Sequence, residues 1–425
     1  MNIHIHTFGC RLNQYESEKI SFELKNMGAN ITELKNADAI AINTCTVTND
    51  SDKKLINYLD KLENISQKKI FLIGCYVSKK ENFKNEKNLF DKENITIIPN
   101  DKKEEASQII FNTLTKNYES EFKNPIFFPQ EQSRAYLKIQ DGCEVFCSYC
   151  IVARVRGKHK SVEPKKIYDA IKIAYEYGYK EIVLTGLNLG SYNYNNEIKF
   201  IQIVKNMLEI SSKFGIRIRL SSIEPIYFND ELISLFKNSE VLCPHAHIPL
   251  QSGSDKILKL MNRRYTRENY LNIVEKLYKT NSNIGISTDI MVGFPNEDSN
   301  NFKDTYNLCE KSKFIKMHIF RYSNRENTPS SKMSNQIGYR TKLKRAKLLN
   351  ELNNKMKDDF YKNAINRELK VIAEKKLENN YYIGTSGEYL KVKFKSEKII
   401  EKKDIIKVKA IKYEDNIIIG EAKNG

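Results

Sequence analysis

The stretch AYLKIQDGCEVFCSYCIVARVRG, residues 135–157, decides the fold. Its first six residues read as a β-strand, Asp141-Gly142 turns the chain, and Cys143, Cys147 and Cys150 follow in a C-x3-C-x2-C run. Barrel enzymes build their sites where a strand runs out into such a loop. Three thiolates on one tight loop can hold three corners of a [4Fe–4S] cluster, for which cysteine is the usual ligand. No fourth cysteine lies nearby, so one iron is left for a non-protein ligand. The amine and carboxylate of S-adenosylmethionine suit that place, and an electron from the cluster then breaks the S–C5′ bond to give a 5′-deoxyadenosyl radical. The competing reading is zinc with His159 as fourth ligand. Structural zinc takes its ligands in two short pairs, and C-x3-C-x2-C-x8-H is an awkward version of that.

Outward from this loop, strand patterns recur at 135–140, 181–185, 216–221, 245–250, 284–290 and 314–320, with helical patterns such as 164–178 and 300–312 between them. Six βα units in that length predict a partial (βα)6 barrel rather than a closed eight-stranded one. Residues 343–364 follow as a basic helix, with Leu348, Leu352, Met356, Phe360 and Ala364 expected on one face. The central domain is placed at 133–362.

The segment before it, 1–115, alternates strand and helix: strands at 3–8, 39–43, 69–74 and 95–99, helices near 13–27 and 51–65. That alternation predicts a parallel α/β sheet. A connector with Pro125 and Pro129 leads on to the barrel. Cys10, Cys45 and Cys75 each sit at or just past a strand's C-terminal end, the edge where such sheets place their sites. Gly9 and Gly74 allow close backbone approach there. The three thiols are expected to converge on a second open cluster, against the plainer reading of three small buried hydrophobes. Cys243 and Cys309 share neither position and are assigned to packing.

The last segment, 366–425, consists of short β-rich runs between Gly, Asn and charged turns, which predicts a small all-β barrel. The chain of 425 residues carries a net charge of +17. Residues 340–425 hold 22 basic and 13 acidic groups, so a fifth of the chain supplies over half of that excess. The concentration points to a polyanionic partner. Lys391, Lys393 and Lys395 alternate, which puts three ammonium groups on one strand face, and Tyr381, Tyr382 and Tyr389 are candidates to stack on unpaired bases. No apolar run is long enough to span a bilayer, and the N-terminus lacks the charge and apolar regions of a signal peptide, so a cytoplasmic location is expected.

The ordered blocks TFGCRLNQYESE (7–18), INTCTVT (42–48), DGCEVFCSYCIV (141–152), LTGLNLGSY (184–192), LSSIEP (220–225), HIPLQSGSDKILKLMNRRYT (247–266), TDIMVGFPNE (288–297) and HIFRYSNRENTPS (318–330) resemble the radical-SAM methylthiotransferases over essentially the whole chain. The resemblance implies a methylthiotransferase N-terminal domain, a radical-SAM barrel and a C-terminal TRAM domain. It implies two [4Fe–4S] clusters, on Cys10, Cys45 and Cys75 and on Cys143, Cys147 and Cys150, with S-adenosylmethionine as methyl donor and radical source. GCRLNQYE with NTCTVT looks most like the branch that adds a methylthio group at C2 of N6-threonylcarbamoyladenosine, 3′ of the anticodon in tRNAs reading codons that begin with A. The branches acting on isopentenyladenosine or on a ribosomal-protein aspartate are the alternatives, and a zinc-stabilised RNA-binding protein is the non-enzymatic one. The implied partners are the tRNA anticodon stem-loop and an electron donor such as flavodoxin or ferredoxin. Two blocks depart from the family pattern. Ala153 stands where a proline is usual, and Arg325-Glu-Asn-Thr replaces R-x-G-T.

Candidate S-adenosylmethionine contacts are Tyr149 beside the last cysteine, Gly186 and Asn188 after the second barrel strand, Ser222 and Glu224 after the third, Gln251 and Ser252 after the fourth, and Arg263, which is suited to a carboxylate. His245, His247 and Asp289 are read as satisfied interior groups.

Overall fold

The computed structural model describes all residues except Cys10, Thr48, 63–67, 80–91, 116–131 and 424–425. The connector with Pro125 and Pro129 therefore lies outside the described residues. The chain forms two compact units: Met1–Pro129 with Asp141–His159 and Ser323–Ser331, and Gln130–Gln140 with Lys160–Tyr322 and Lys332–Gly425.

The first unit is built on a five-stranded parallel sheet. Its order is Asn30–Ile31, Asn2–Thr7, Ala39–Thr44, Lys69–Gly74, Ile95–Pro99. Both faces are covered, so the central strand Ala39–Thr44 is buried along its whole length. Helix Arg11–Asn26 and helix Ala106–Thr115 close one face, where Ile20, Leu24 and Ile110 pack on Ile3, Ala41, Phe71 and Ile73. Helix Asn49–Leu62 closes the other through Leu55, Leu59 and Leu62 against Ile40, Ile42 and Leu72.

The second unit carries six parallel strands in two sets of three: Ala135–Lys138, Glu181–Thr185 and Arg217–Leu220, then His245–His247, Gly285–Val292 and Lys316–Arg321. Bridges between Ile218 and Leu242 and between Ser222 and His247 join the sets. Among the described residues no ladder closes the last strand onto the first, so the barrel is partial. Five strands, Glu368–Lys376, Tyr381–Ser386, Lys391–Lys395, Ile405–Glu414 and Ile417–Ala422, form a closed C-terminal barrel. Bulges at Ala373/Lys375 and Ala410/Lys412 supply the extra curvature that so small a closure needs.

A buried charge cluster sits between the two barrels of this unit. Glu181, fully buried, receives Arg217 at 2.5 Å, Arg219 at 2.7 Å and Arg134 at 3.0 Å. Arg217 and Arg219 also donate to the carbonyls of Lys370 and Gly387 at 2.7 and 2.9 Å. Arg134 also pairs with Glu374.

Two expectations are corrected. In helix Tyr339–Lys362 the inward stripe is Arg345, Leu349, Leu352 and Met356, whereas Leu348 is exposed. A row spaced by four gains about 40° per step at 3.6 residues per turn, so a strict i, i+4 row leaves the interface where a 4-3-4 spacing stays on it. Tyr382 lies in the C-terminal barrel core stacked on Phe394, and Tyr389 stacks on His245 at 4.7 Å. Neither offers a ring face to a base. Tyr381 remains, half-buried beneath Lys393, whose ammonium stands 4.9 Å from the ring centroid. Lys391 and Lys395 are exposed on that face, as their alternation with buried Val392 and Phe394 requires, and they pair with Glu374 and Glu397.

Candidate active site

The cysteine loop is shaped by its backbone. Gly142 has φ +72°, and a Cβ there would stand 1.9 Å from the Lys158 carbonyl oxygen, so only glycine fits. Asp141 Oδ1 accepts from Gly142 N at 2.8 Å and fixes the turn. Cys143, Cys147 and Cys150 follow, each half-buried. Burial first, and then the adjoining Cys147 and Cys143, push the Cys150 thiol up to about 12. The Cys150 sulfur accepts from Val152 N at 3.4 Å and from the backbone of Ala153. A proline at 153 would lack that N–H, so the alanine adds a donor to the sulfur.

The sheet edge in the same unit is tied together by asparagines. Asn13 Nδ2 donates to the Phe8 and Thr44 carbonyls at 2.8 and 2.9 Å, and Asn43 Nδ2 donates to the Asn13 carbonyl and to Ser17 Oγ at 2.8 and 2.9 Å. Thr44 pairs with Gly74 in the ladder, so Cys45 and Cys75 leave neighbouring strands side by side. Both are buried. Cys10 lies outside the described residues. Its neighbour Gly9, at φ +102°, packs against Cys45: a Cβ there would stand 2.5 Å from Cys45 Cβ and 2.7 Å from its Sγ. Gly9→Ala is therefore expected to strain the backbone and overpack the cysteine, at a cost of about 1–3 kcal/mol, read as a lower urea midpoint of the metal-free chain. An unchanged midpoint would refute this packing.

The two cysteine regions meet inside this unit. Cys75, Ile151 and Val155 form one apolar cluster, and Arg156, at the end of helix Val152–Arg156, reaches the Cys75 sulfur through Nε at 3.2 Å. Segment Ser323–Ser331 braces both regions. Ser330 N donates to the Ser148 carbonyl at 2.9 Å, and Arg325 donates to Thr46 Oγ1 at 2.6 Å and to Asp52 at 2.8 Å. Sequence reasoning missed these roles of Arg156 and Arg325, although both lie in quoted blocks.

In the second unit, Asn188 N donates to Gln140 Oε1 at 2.8 Å, and Gly186 leaves no room for a Cβ beside that same side chain. Glu224 is paired with Arg263, whose Nε also donates to the Tyr265 hydroxyl at 3.1 Å. Burial raises the Glu224 carboxyl, and Arg263 pulls it back. Arg263 is thus engaged by a carboxylate of the chain itself. Ser222 bridges to His247, and Gln251 takes φ +64° with its N–H on the Asp289 carbonyl at 2.8 Å. Ser252 is fully buried against Thr305 at 3.2 Å, a helix contact. Tyr149 stands on the cysteine loop of the first unit, half-buried. His247, Asp289 and His318 form a further cluster that the sequence reading did not assemble. They come from three adjoining parallel strands, with His247 Nε2 3.3 Å from Asp289 and Nδ1 2.9 Å from Ser287 Oγ. The period-2 alternation of 316–321 is the signal that puts His318 on the same face as Phe320.

Family profiles match in two places: the Radical SAM superfamily over residues 137–309, and Uncharacterized protein family UPF0004 over residues 2–97. Threonylcarbamoyladenosine tRNA methylthiotransferase MtaB of Bacillus subtilis is 33% identical, over 96% of this chain and 93% of its own. The chain belongs to the radical-SAM tRNA methylthiotransferases. The namesake from Thermotoga maritima is also 33% identical, over 94% and 92% of the two chains. A tRNA-2-methylthio-N(6)-dimethylallyladenosine synthase from Clostridium novyi is 36% identical over 78% and 76%. Among solved structures, the radical S-adenosylmethionine methyltransferase TsrM from Kitasatospora setae superposes with a TM-score of 0.55 at 9% identity, over 77% and 76%, which is a likeness of fold. Membership in the radical-SAM methylthiotransferases brings S-adenosylmethionine and an iron–sulfur cluster, and the residues of the cysteine loop fit the latter. Cys143, Cys147 and Cys150, half-buried together on one loop, are a soft thiol donor set of the kind an iron–sulfur cluster takes. Among the described residues no helix is long and apolar enough to cross a membrane.

Proposed function

We propose that this methylthiotransferase adds a methylthio group at C2 of N6-threonylcarbamoyladenosine, 3′ of the anticodon in tRNAs that read codons beginning with A. The observation that carries the reading is the meeting, inside one unit, of the C-x3-C-x2-C loop with the sheet edge bearing Cys45 and Cys75. A transfer of this kind needs a radical source and a sulfur source within reach of one carbon. Cys143, Cys147 and Cys150 would hold one [4Fe–4S] cluster, and Cys10, Cys45 and Cys75 a second. When bound, these groups and S-adenosylmethionine supply the radical, the sulfur and the methyl group. The chain's own residues supply order: Gly142 sets the loop, Asn13 and Asn43 tie the strand ends, and Arg325 fixes the turn after Cys45. The names of the full-length relatives support the threonylcarbamoyl substrate over the dimethylallyl one. The C-terminal barrel and the basic helix Tyr339–Lys362 would grip the tRNA backbone, so binding should weaken steeply with salt. A small electron carrier such as flavodoxin or ferredoxin would reduce the clusters.

Nucleoside mass spectrometry of tRNA from a host lacking its own methylthiotransferases, with and without this chain, tests the substrate. Methylthio-threonylcarbamoyladenosine is expected only with the chain present. Methylthio-isopentenyladenosine in its place would overturn the substrate assignment. Cys45→Ala is expected to remove the methylthio product and to leave some cleavage of S-adenosylmethionine. Full product from that variant would defeat the two-cluster reading.

A further inference from the structure

We infer that Arg156 is a positioning residue for the sulfur of Cys75, holding it by an Nε–H···S hydrogen bond that makes a cluster ligated there easier to reduce. The inference rests on the two-cluster reading above.

The guanidinium is fixed on every edge. Nε lies 3.2 Å from Cys75 Sγ, Nη1 lies 2.6 Å from Glu16 Oε1, and Nη2 lies 3.1 Å from Glu16 Oε2 and 2.8 Å from Asn13 Oδ1. Glu16 is gripped in turn by Lys103 at 2.5 Å. Arg156, Glu16 and Lys103 keep only 3%, 6% and 6% of their side-chain surface, so water cannot stand in for any of these partners. Asp141 adds a longer contact to Nη1 at 3.5 Å from a more exposed position. The Cys75 sulfur is the acceptor for Nε–H, while the Glu16 and Asn13 oxygens occupy the other edges of the guanidinium. Asn100 Nδ2 supplies a weaker second donor to the same sulfur at 3.6 Å. A hydrogen bond to a cluster sulfur stabilises the more negative, reduced state and so raises its reduction potential. The donor comes from the helix that directly follows Cys150, so the loop holding one cysteine trio sets the electrostatics of the other.

The test uses the full chain with Cys143→Ala, Cys147→Ala and Cys150→Ala, which leaves only the first trio. After anaerobic reconstitution with iron and sulfide it should hold about four irons. Its midpoint potential, read by redox-poised electron paramagnetic resonance, is then compared with that of the same chain carrying Arg156→Lys or Arg156→Gln. Iron content is expected to stay the same while the midpoint moves to more negative potential, further for Gln than for Lys. Unchanged midpoints at full iron content would overturn the inference, because a purely structural arginine would alter iron retention and not potential. If the Arg156 variants lose their iron, Glu16→Asp gives the second reading: it keeps the charge, draws the clamp back from the guanidinium and is expected to move the midpoint to more negative potential, and an unmoved midpoint there also overturns the inference. Failure of the Arg156-intact chain to hold iron would instead defeat the two-cluster reading itself.

Discussion

Cys147→Ala is expected to abolish reductive cleavage of S-adenosylmethionine outright. Cys147 is the middle of three thiols on a loop whose course is dictated by Gly142 and by the turn at Asp141. The loop carries only Cys143 and Cys150 besides it, and both are already ligands in this reading. With two thiolates the loop cannot hold a cubane cluster. Iron per chain should fall from about eight to about four, and 5′-deoxyadenosine should drop below detection under dithionite. Persistence of 5′-deoxyadenosine would mean that the reducing site lies elsewhere. The same variant should keep its fold, because the Cys147 side chain is only half-buried.

Glu181→Gln should produce the largest loss of stability. Burial by itself would raise the Glu181 carboxyl, but Arg217, Arg219 and Arg134 outweigh it and hold it well below the usual carboxylate range. Removing the charge leaves three buried guanidinium groups short of their shared partner. Breaking such a buried pair costs about 3–5 kcal/mol. The pH dependence follows from the direction of the shift. A group whose folded pKa is depressed stabilises fully above its unfolded value, near 4.5, and loses that contribution as pH falls toward the folded one. The wild-type chain should therefore lose stability below about pH 4.5, and Glu181→Gln should flatten that part of the profile. Urea melts at pH 7 and pH 4 measure both effects. Equal midpoints for the two proteins at pH 7 would show that the cluster contributes nothing net.

Local pattern made most of the architecture legible. The strands Asn2–Thr7, Ala39–Thr44 and Lys69–Gly74 and all six barrel strands fall where β-rich runs put them, because each run is bounded by turn residues and buried on one or both faces. The cysteine loop stands out for a different reason: its three thiols fall within eight residues. What stayed hidden depends on pairing across long stretches of chain. Arg325 reaches Thr46 across 279 positions, and nothing local marks it as anything but a loop arginine. Tyr382 reads as an aromatic in a basic strand, and only the closure of the barrel turns it inward onto Phe394. Leu349 rather than Leu348 faces inward because a row of fours drifts off one face of a helix whose period is shorter.

The cysteine loop and the segment Ser323–Ser331 both interrupt the barrel in sequence and yet pack with the N-terminal sheet. A cut placed by sequence alone, after residue 129, would remove the surface on which Ile151 and Val155 rest and the carboxylate that clamps Arg156. The barrel portion would keep all its strands and still present a denuded, sticky loop. Neither half can be inherited, transplanted or shortened as a self-sufficient module, and a chimera of two such enzymes would have to exchange all three stretches at once.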